Sequence, residues 1–394
     1  MKKKIVFVIN KLTCGGAEKG LVSLLHELDY EQYEVDLFLF KHEGFLMHQL
    51  PESVNLLPEP KEYQYFDQPI KKVIIYSVVH LRFKLLWNRI RMVLMMRKEP
   101  IPAVREQKAW KFVCPFLKKL PNQYHAAIGF LEKNPNYFCV DKIDAKVKIG
   151  FVHTDYDRMQ MDPKWDHYYF NKLNIIGTIS EKCVSVLQQR FPEFEHKIKL
   201  MYNIVSESII NEMSNEPIKD TITDPSIVTL GRLNYEKALD KAIISCSLLV
   251  MRGIPVTWYV LGEGEERAKL EALIKEYKLE QHFKLLGLKE NPYPYLKKAT
   301  VYAQPSLFEG KSIAVDEAKI MQKPILLTNY PSASEQITDG VNGLIVDRDV
   351  VAVADGLERL LKEVSLRANF TKELALHDYE TTAEIDKLYT WINL

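Results

Sequence analysis

The sequence predicts an α/β fold built twice: two doubly wound domains, each a parallel sheet with helices on both faces. Three observations predict it. Short apolar runs alternate with amphipathic helical stretches along the chain. The alternation occurs in both halves. A polar stretch, Ser206–Asp224, rich in Asn, Glu, Asp and Pro, separates the halves and places a domain boundary after residue 205.

In the first half, Ile5–Ile9 reads as a buried strand, Ala17–Leu28 as a helix and Glu34–Phe40 as a second strand. Ala126–Phe130, Val147–Val152 and Ile175–Ile179 read as later short strands. In the second half, Ser226–Leu230 is a strand and Ala238–Met251 a helix. Thr257–Leu261 (strand), Glu266–Tyr277 (helix) and Phe283–Leu286 (strand) come next. Then come Pro292–Lys298 (helix), Thr300–Gln304 (strand) and a helix after Ser312. Ile325–Thr328 and Gly343–Val346 are further short strands. In such sheets ligands bind at the carboxyl ends of the strands, so the residues just after each strand are the ones to read for chemistry.

Composition narrows the class. At 394 residues there is material for at least two cores, and 47% hydrophobic with 27% charged residues is a soluble globular balance. The five cysteines (Cys14, Cys114, Cys139, Cys183, Cys246) are scattered with no CxxC pair, so neither a disulfide framework nor a zinc site is expected, and a reducing cytosol fits. The start, Met1-Lys2-Lys3-Lys4, mimics a signal peptide, but the apolar run after it is too short and ends in Asn10-Lys11. No stretch reaches the ~20 apolar residues of a membrane span. Net charge is +1, yet residues 71–119 hold thirteen cations against two acids, Glu99 and Glu106.

The most informative segment is Phe308-Glu309-Gly310-Lys311-Ser312-Ile313-Ala314-Val315-Asp316-Glu317-Ala318. Ser312 is a good helix N-cap residue. Three and four residues from Glu317 lie Ile313, Ala314, Ile320 and Met321, all apolar, so this carboxylate sits on a buried stripe and needs a hydrogen-bonding partner. Asp316 has Ser312 and Lys319 at those spacings, as a solvated acid should. Backbone N–H groups from Gly310 through Lys311 and Ser312 to Ile313 would point out of the helix start, a site for phosphate. Glu317 lies about 7 Å further along at ~1.5 Å per residue, a spacing that suits ribose hydroxyls. An ordinary surface helix with one awkward Glu is the alternative.

Other candidates sit just after strands. Gly15-Gly16-Ala17-Glu18-Lys19 opens a helix after the first strand, and adjacent glycines let a phosphate or sugar approach the backbone; a plain strand-to-helix turn reads equally well. Gly231-Arg232-Leu233-Asn234-Tyr235-Glu236-Lys237 comes after Ser226–Leu230, where Arg232 and Lys237 would grip an anion or stand as solvated cations. Gly262-Glu263-Gly264 has Arg267 where a dinucleotide fingerprint needs Gly, so it is a tight turn. Asp155-Tyr156-Asp157 has the residue types for a divalent ion but reads better as a solvated loop. His153, just after Ile149–Val152, is either a satisfied structural histidine or a site residue. There is no GxSxG elbow, HExxH motif or Walker loop.

In the order and spacing of these elements the chain resembles the family 4 glycosyltransferases of the bacterial cell-surface polysaccharide type, over essentially its whole length. The most specific part is the Glu-x7-Glu spacing of Glu309 and Glu317, supported by Gly231-Arg232-Leu233…Lys237 and by the Gly-Gly-x-Glu turn. The resemblance implies a GT-B fold, two Rossmann-like domains facing across a cleft. Residues 1–205 would bind acceptor and 206–372 the nucleotide-sugar, with the last helix, about 373–394, returning to the first domain. It implies a retaining hexosyltransferase that needs no metal and no cofactor. Arg232 and Lys237 would bind the donor diphosphate, with Gly231 beside them. Glu317 would hold the ribose and Glu309 the donor sugar. Gly16 would let the first domain close on the donor phosphates, and Leu288, in Gly287-Leu288-Lys289, would lie by the nucleobase. His153 would face the transferred sugar, with Asp155 and Gly15 on the acceptor side. Two departures stand out: Lys311-Ser312 replaces the family's frequent aromatic-Gly, and Ala238 replaces a frequent Gly.

The cations of Lys71–Lys98 interleave with Val, Ile, Leu, Phe, Trp87 and Met, which suits a basic amphipathic helix on an anionic membrane. The expected acceptor is then a lipid-linked or growing surface glycan, and the expected location cytoplasmic, peripheral at the inner face of the cell membrane. A solvated helix face packed on the first domain is the alternative reading. No nucleic-acid recognition motif accompanies the basic segment. Two other functions use the same architecture: a nucleotide-sugar epimerase or hydrolase, and a non-catalytic sugar-nucleotide-binding partner of another transferase.

Overall fold

In the computed structural model, which describes residues 2–13 and 15–394, the chain forms two parallel sheets. The first contains β1 (Lys3–Ile9), β2 (Tyr33–Leu39), β3 (Val54–Leu56), β4 (Gln123–Gly129), β5 (Asp144–Val152), β6 (Ile175–Thr178) and β7 (Ile198–Leu200), in the order β3-β2-β1-β4-β5-β6-β7. The second contains β8 (Ser226–Leu230), β9 (Thr257–Leu261), β10 (Phe283–Gly287), β11 (Val301–Gln304), β12 (Ile325–Thr328) and β13 (Leu344–Val346), in the order β10-β9-β8-β11-β12-β13. Two compact units result: the residues up to Asn203 together with Glu384–Leu394, and Ile204–Ala383.

Side chains alternate across each sheet, as the pleat requires. In the second unit Ile227, Trp258 and Val260 face one core, shared with Leu239, Ile243 and Leu357. Their neighbours Val228, Tyr259 and Leu261 face the other, shared with Leu296, Val315 and Ala318. Both faces are therefore covered, which explains why these strands read as continuous apolar runs. In the first unit Val6, Val8 and Phe38 pack with Trp110, Phe138 and Cys139 on one face.

Each sheet has a switch point, where the chain reverses its direction of travel across the strand order. In the first it lies between β1 and β4, in the second between β8 and β11. Most loops that carry candidate residues leave the strands at or beside these points, while Leu288 comes after the edge strand β10.

The structure departs from the sequence reading in several places. The edge strands β3 and β7 have only three residues each, and a polar residue, Asn55 or Lys199, interrupts each run. Ser206–Asp224 is more than a linker, because it holds the helix Glu207–Met213, whose Ile210 packs with Ile313 and Ile320. The returning segment starts at Glu384 and not at 373. The helix Val364–Ala375 stays with the second unit through Phe370 and Leu374, both 1% exposed. The final helix Ile385–Ile392 packs in the first unit, where Trp391 lies 6.0 Å from Phe151 and Tyr389 stacks on Tyr33 at 5.3 Å. Cys114, Cys139, Cys183 and Cys246 form no disulfide among the described residues, and Cys14 lies outside them.

Candidate functional site

In the second unit, the loops after β8 and β11 meet through side chains. Lys237, in the short 3-10 turn Tyr235–Lys237, places Nζ 2.6 Å from Glu309 Oε1, and the two side chains are 15% and 14% exposed. The same carboxylate oxygen accepts from Ser306 Oγ at 2.6 Å and from Gln304 Nε2 at 2.9 Å. Gln304 in turn accepts from the Tyr302 hydroxyl, and Ser332 Oγ donates to the Glu309 carbonyl at 3.0 Å. Glu309 is thus a carboxylate fixed by three donors, one of them cationic, at the switch point. Arg232 is exposed and makes no ion pair among the described residues.

The glycines of these loops allow the strand ends to crowd together. The carbonyl of Gly231 lies 1.8 Å from where a Cβ on Gly262 would sit, so any side chain there displaces the loop that carries Arg232. Lys237 Cε lies 2.9 Å from the equivalent point on Gly231, so the lysine stem lies over bare backbone. Gly262-Glu263-Gly264 is a structural turn, with Arg267 paired to Glu263 at 2.6 Å and to Glu271 at 2.7 Å. Leu288 comes after β10, half-buried, and its neighbour Lys289 pairs with Asp220 at 2.7 Å.

The helix Ile313–Ile320 begins where the spacing placed it, with Gly310 and Lys311 in the loop before it. Ser312 stands at the N-cap but its side chain caps nothing. Gln336 takes that role, accepting from Ser312 N at 3.0 Å and donating to its carbonyl at 2.8 Å. Glu317 is 1% exposed, on the buried stripe, and accepts from the Tyr293 hydroxyl at 3.0 Å. Burial, with the Glu317 charge beside it, pushes the Tyr293 phenol well above its usual pKa. Asp316 is not solvated: it is 3% exposed, held by Lys319 at 2.9 Å and Lys311 at 3.4 Å. Lys311 therefore spends its charge on a buried acid, since a carboxylate at that depth requires a cation.

In the first unit, Gly15 is the N-cap of the helix Gly16–Glu27 and has no side chain to cap with. Glu18 folds back over it, its carboxylate 2.3 Å from the place of a Gly15 Cβ, and takes a 3.0 Å hydrogen bond from Thr13. A carboxylate already occupies this helix start, which favours a neutral hydroxyl over a phosphate as a neighbour. His153 comes after β5, is 7% exposed, and lies against Phe130 and Phe151 at 4.9 and 5.6 Å. Both ring nitrogens are buried with no hydrogen-bond partner among the described residues. Burial pushes its pKa down to about 4, against an opposing pull from Glu132. Asp155 is buried and its Oδ1 accepts from the backbone of Asp157 and Arg158, both at 3.1 Å, so it shapes the loop after His153. Asp157 pairs with Arg190 at 2.8 Å, and no group of three metal-ligating side chains exists among the described residues.

The basic segment forms two helices and not one. Ile70–Val79 and Phe83–Lys98 are broken at Leu81, whose φ is +53°. Exposed along them are Ile75, Val79, Leu81, Phe83, Trp87 and Leu94. No helix among the described residues is long and apolar enough to cross a membrane.

Sequence reasoning missed Gln304, Ser306, Tyr293 and Gln336. The signal for the first two is present: Gln304-Pro305-Ser306 places polar residues at the end of an apolar strand, and both are fully buried. Tyr293 and Gln336 reach the site from helices distant in sequence, which no local pattern reveals.

Residues 213–375 match the family described as Glycosyl transferases group 1. The chain is similar to N-acetylgalactosamine-N,N'-diacetylbacillosaminyl-diphospho-undecaprenol 4-alpha-N-acetylgalactosaminyltransferase of Campylobacter jejuni, 25% identical over 93% of this chain and 92% of that protein. It is also similar to an uncharacterized glycosyltransferase of Methanocaldococcus jannaschii, 25% identical over 43% of each chain, so it spans less than half of that relative. Among solved structures it resembles a Staphylococcus aureus TarM mutant in complex with fondaparinux, alpha-GlcNAc-glycerol and UDP, with a TM-score of 0.68, 16% identity and all of both chains covered. Its fold, two Rossmann-like sheets, is of the GT-B type.

Proposed function

We propose that the protein is a retaining, metal-independent glycosyltransferase. It moves a hexosyl group from a UDP-sugar to a hydroxyl of a lipid-linked or cell-surface glycan. The observation that carries this reading is the Lys237–Glu309 pair at 2.6 Å, fixed by Ser306 and Gln304 at the switch point of the second sheet. That is where a doubly wound fold binds a nucleotide. The Campylobacter relative, whose name specifies a diphospho-undecaprenol substrate, matches nearly the full chain, and the TarM mutant holds UDP.

In this reaction the sugar–phosphate bond breaks as the diphosphate gathers charge. Arg232, Lys237 and the N–H groups of Gly310, Lys311 and Ile313 stabilise that charge, while the Ser312 N–H stays with Gln336. Gly231 leaves bare backbone for the phosphates; the resemblance assigns Gly16 to them as well, but the Glu18 carboxylate over that helix start opposes an anion there. Glu317 orients the ribose, Leu288 flanks the base, and Glu309 contacts the donor sugar. The resemblance assigns His153 to the transferred sugar and Asp155 and Gly15 to the acceptor; the two His153 ring nitrogens, without a hydrogen-bond partner among the described residues, are free for such a role. The acceptor hydroxyl attacks on the face the diphosphate leaves, and its proton passes to the leaving phosphate oxygen. No enzyme nucleophile and no metal enters.

The helices Ile70–Val79 and Phe83–Lys98 lay exposed apolar side chains among cations, a surface suited to the inner face of an anionic membrane. On this reading the enzyme is cytoplasmic and peripheral. Native mass spectrometry against a panel of nucleotide-sugars, then NMR of the product formed with chelator present, tests the reading. We expect one UDP-sugar to bind and an axial or equatorial linkage matching the donor's. Release of free sugar at the same rate with and without acceptor would replace transfer by hydrolysis.

A further inference from the structure

A cavity of about 600 Å³ lies in the first unit beside the helix Phe83–Lys98. Its lining comes from that helix, from the helices Lys61–Asp67 and Pro102–Val113, and from Asn134. Lys61–Asp67 comes after β3 and Asn134 after β4, so the cavity is built by chain leaving the carboxyl ends of the first sheet.

Three guanidinium groups line it: Arg89, Arg97 and Arg105. Its two carboxylates are committed elsewhere, Asp67 to Lys41 and Glu106 to Lys133 at 2.5 Å. Arg105 donates to the Glu99 and Pro100 carbonyls at 2.5 and 3.0 Å, and Arg89 Nη2 to the Gln68 carbonyl at 3.0 Å. None of the three pairs with a carboxylate among the described residues. Arg89 Nε, a donor that an anion can meet, is buried without a hydrogen-bond partner among the described residues; Asn134 Oδ1 is too, but as an acceptor it calls for water and not for an anion. Buried groups of this kind are costly unless a ligand or water meets them. Apart from the Tyr63 hydroxyl the rest of the wall is apolar, with Phe66, Met92, Val93 and Met96 on it. The helix that supplies Arg89, Met92, Met96 and Arg97 also exposes Trp87 (61%) and Leu94 (51%) to solvent. One helix thus joins an apolar outer surface to a cationic, half-apolar cavity.

We infer that this cavity binds an anionic amphiphile, a phosphate or diphosphate joined to a hydrocarbon chain, with Arg89, Arg97 and Arg105 on the anion and Phe66, Met92 and Met96 on the chain. A planar guanidinium matches phosphate oxygens, and three of them without carboxylate partners select an anion over a neutral sugar. The inference rests on the proposed function only for the ligand's role: in that reading the amphiphile is the lipid-linked acceptor, and otherwise it is bulk anionic lipid.

The test is isothermal titration of the full-length protein with farnesyl diphosphate, inorganic diphosphate and farnesol. We expect farnesyl diphosphate to bind at least about tenfold more tightly than either fragment, because both halves of the site then contribute. Arg97→Gln, at an exposed residue, should weaken it roughly tenfold without changing the melting temperature. Val93→Trp fills the cavity and keeps every charge, and should abolish binding. Equal affinity for inorganic diphosphate overturns the amphiphile, and wild-type affinity in both variants overturns the site. Competition with phosphatidylglycerol vesicles tells the sources apart: displacement assigns bulk lipid and persistence assigns the acceptor, and either supports the site. A protein that binds farnesyl diphosphate yet transfers no sugar refutes the proposed function and leaves the cavity standing.

Discussion

Replacing Lys237 by Met tests whether the pair at the second switch point is chemistry or scaffold. The stem of Lys237 lies over Gly231, and Met keeps that packing while removing the ammonium. Glu309 loses one donor at 2.6 Å but keeps Ser306 at 2.6 Å and Gln304 at 2.9 Å, so its carboxylate is not stranded. A charge-assisted hydrogen bond is worth about 1.5–3 kcal/mol, and the two remaining donors recover part of it. We expect a stability loss in the second unit of about 1–2 kcal/mol. Removing one donor from a developing anion costs about 10²–10³ in kcat, or ~3–4 kcal/mol. The rate should therefore fall by more than stability does. The assay is kcat with saturating donor and acceptor, beside urea unfolding of the same protein. A kcat within about threefold of wild type, with the stability loss present, would show that the pair only holds the loops together.

The other predictions concern charge burial and backbone. His153 is buried near pKa 4 and Asp166, among Tyr137, Tyr156 and Gln107, near 6, burial being the main cause of both shifts. The histidine contribution to stability is fully present above its unfolded pKa of about 6.5 and is lost as pH falls toward 4, about 3 kcal/mol; the aspartate contribution has the opposite sign between about pH 6 and 3.8 and a similar size. Wild type should therefore be nearly flat from about pH 6 to 4, whereas in His153→Phe the protection of β5 amides in hydrogen exchange should rise as pH falls, and a parallel decline in both proteins contradicts this. Ala238 has φ +48°, a conformation costing a non-glycine residue ~1 kcal/mol, and its methyl is buried, so Ala238→Gly should be within about 0.5 kcal/mol of wild type in chemical denaturation and Ala238→Val worse by more than ~2. Gly262→Ala forces a methyl to 1.8 Å from the Gly231 carbonyl; we expect ~3 kcal/mol lost from the second unit and weaker donor binding, and an unchanged melting temperature would refute the crowding.

Much of the fold was legible because strands buried on both faces must be apolar throughout. That requirement wrote Ser226–Leu230, Thr257–Leu261 and Ile325–Thr328 into the sequence as separate runs. β3 and β7 were not legible, since in each a polar residue, Asn55 or Lys199, interrupts a three-residue run, whereas the equally short edge strand Leu344–Val346 is apolar throughout. At the site, the buried place of Glu317 was deducible from its helical neighbours, and its depth of 1% exposure agrees. Asp316 misled, because Lys319 three residues on is the mark of a surface pair; here Lys319 and the acid are both buried, under Tyr379, whose ring lies 4.5 Å from the lysine Nζ. Residues that act across long separations, such as Gln336 on Ser312, leave no local trace.

The arrangement around Glu309 also says how a cation can be kept ready for a phosphate. A lysine alone at a strand end would be solvated and mobile, and ordering it on binding would cost side-chain entropy. Here Glu309 holds Lys237 in place, and Ser306 and Gln304 hold Glu309. The carboxylate reduces the lysine's net attraction for an anion but removes most of the cost of positioning it. In the proposed reaction the arriving diphosphate would carry more charge than one carboxylate and so could share the ammonium without displacing it. Arg232, exposed and without an ion pair among the described residues, is left to supply the attraction that Lys237 gives up. On the proposed function, positioning and attraction would be divided between the two cations, which is the requirement for stabilising a charge that appears only as the donor bond breaks.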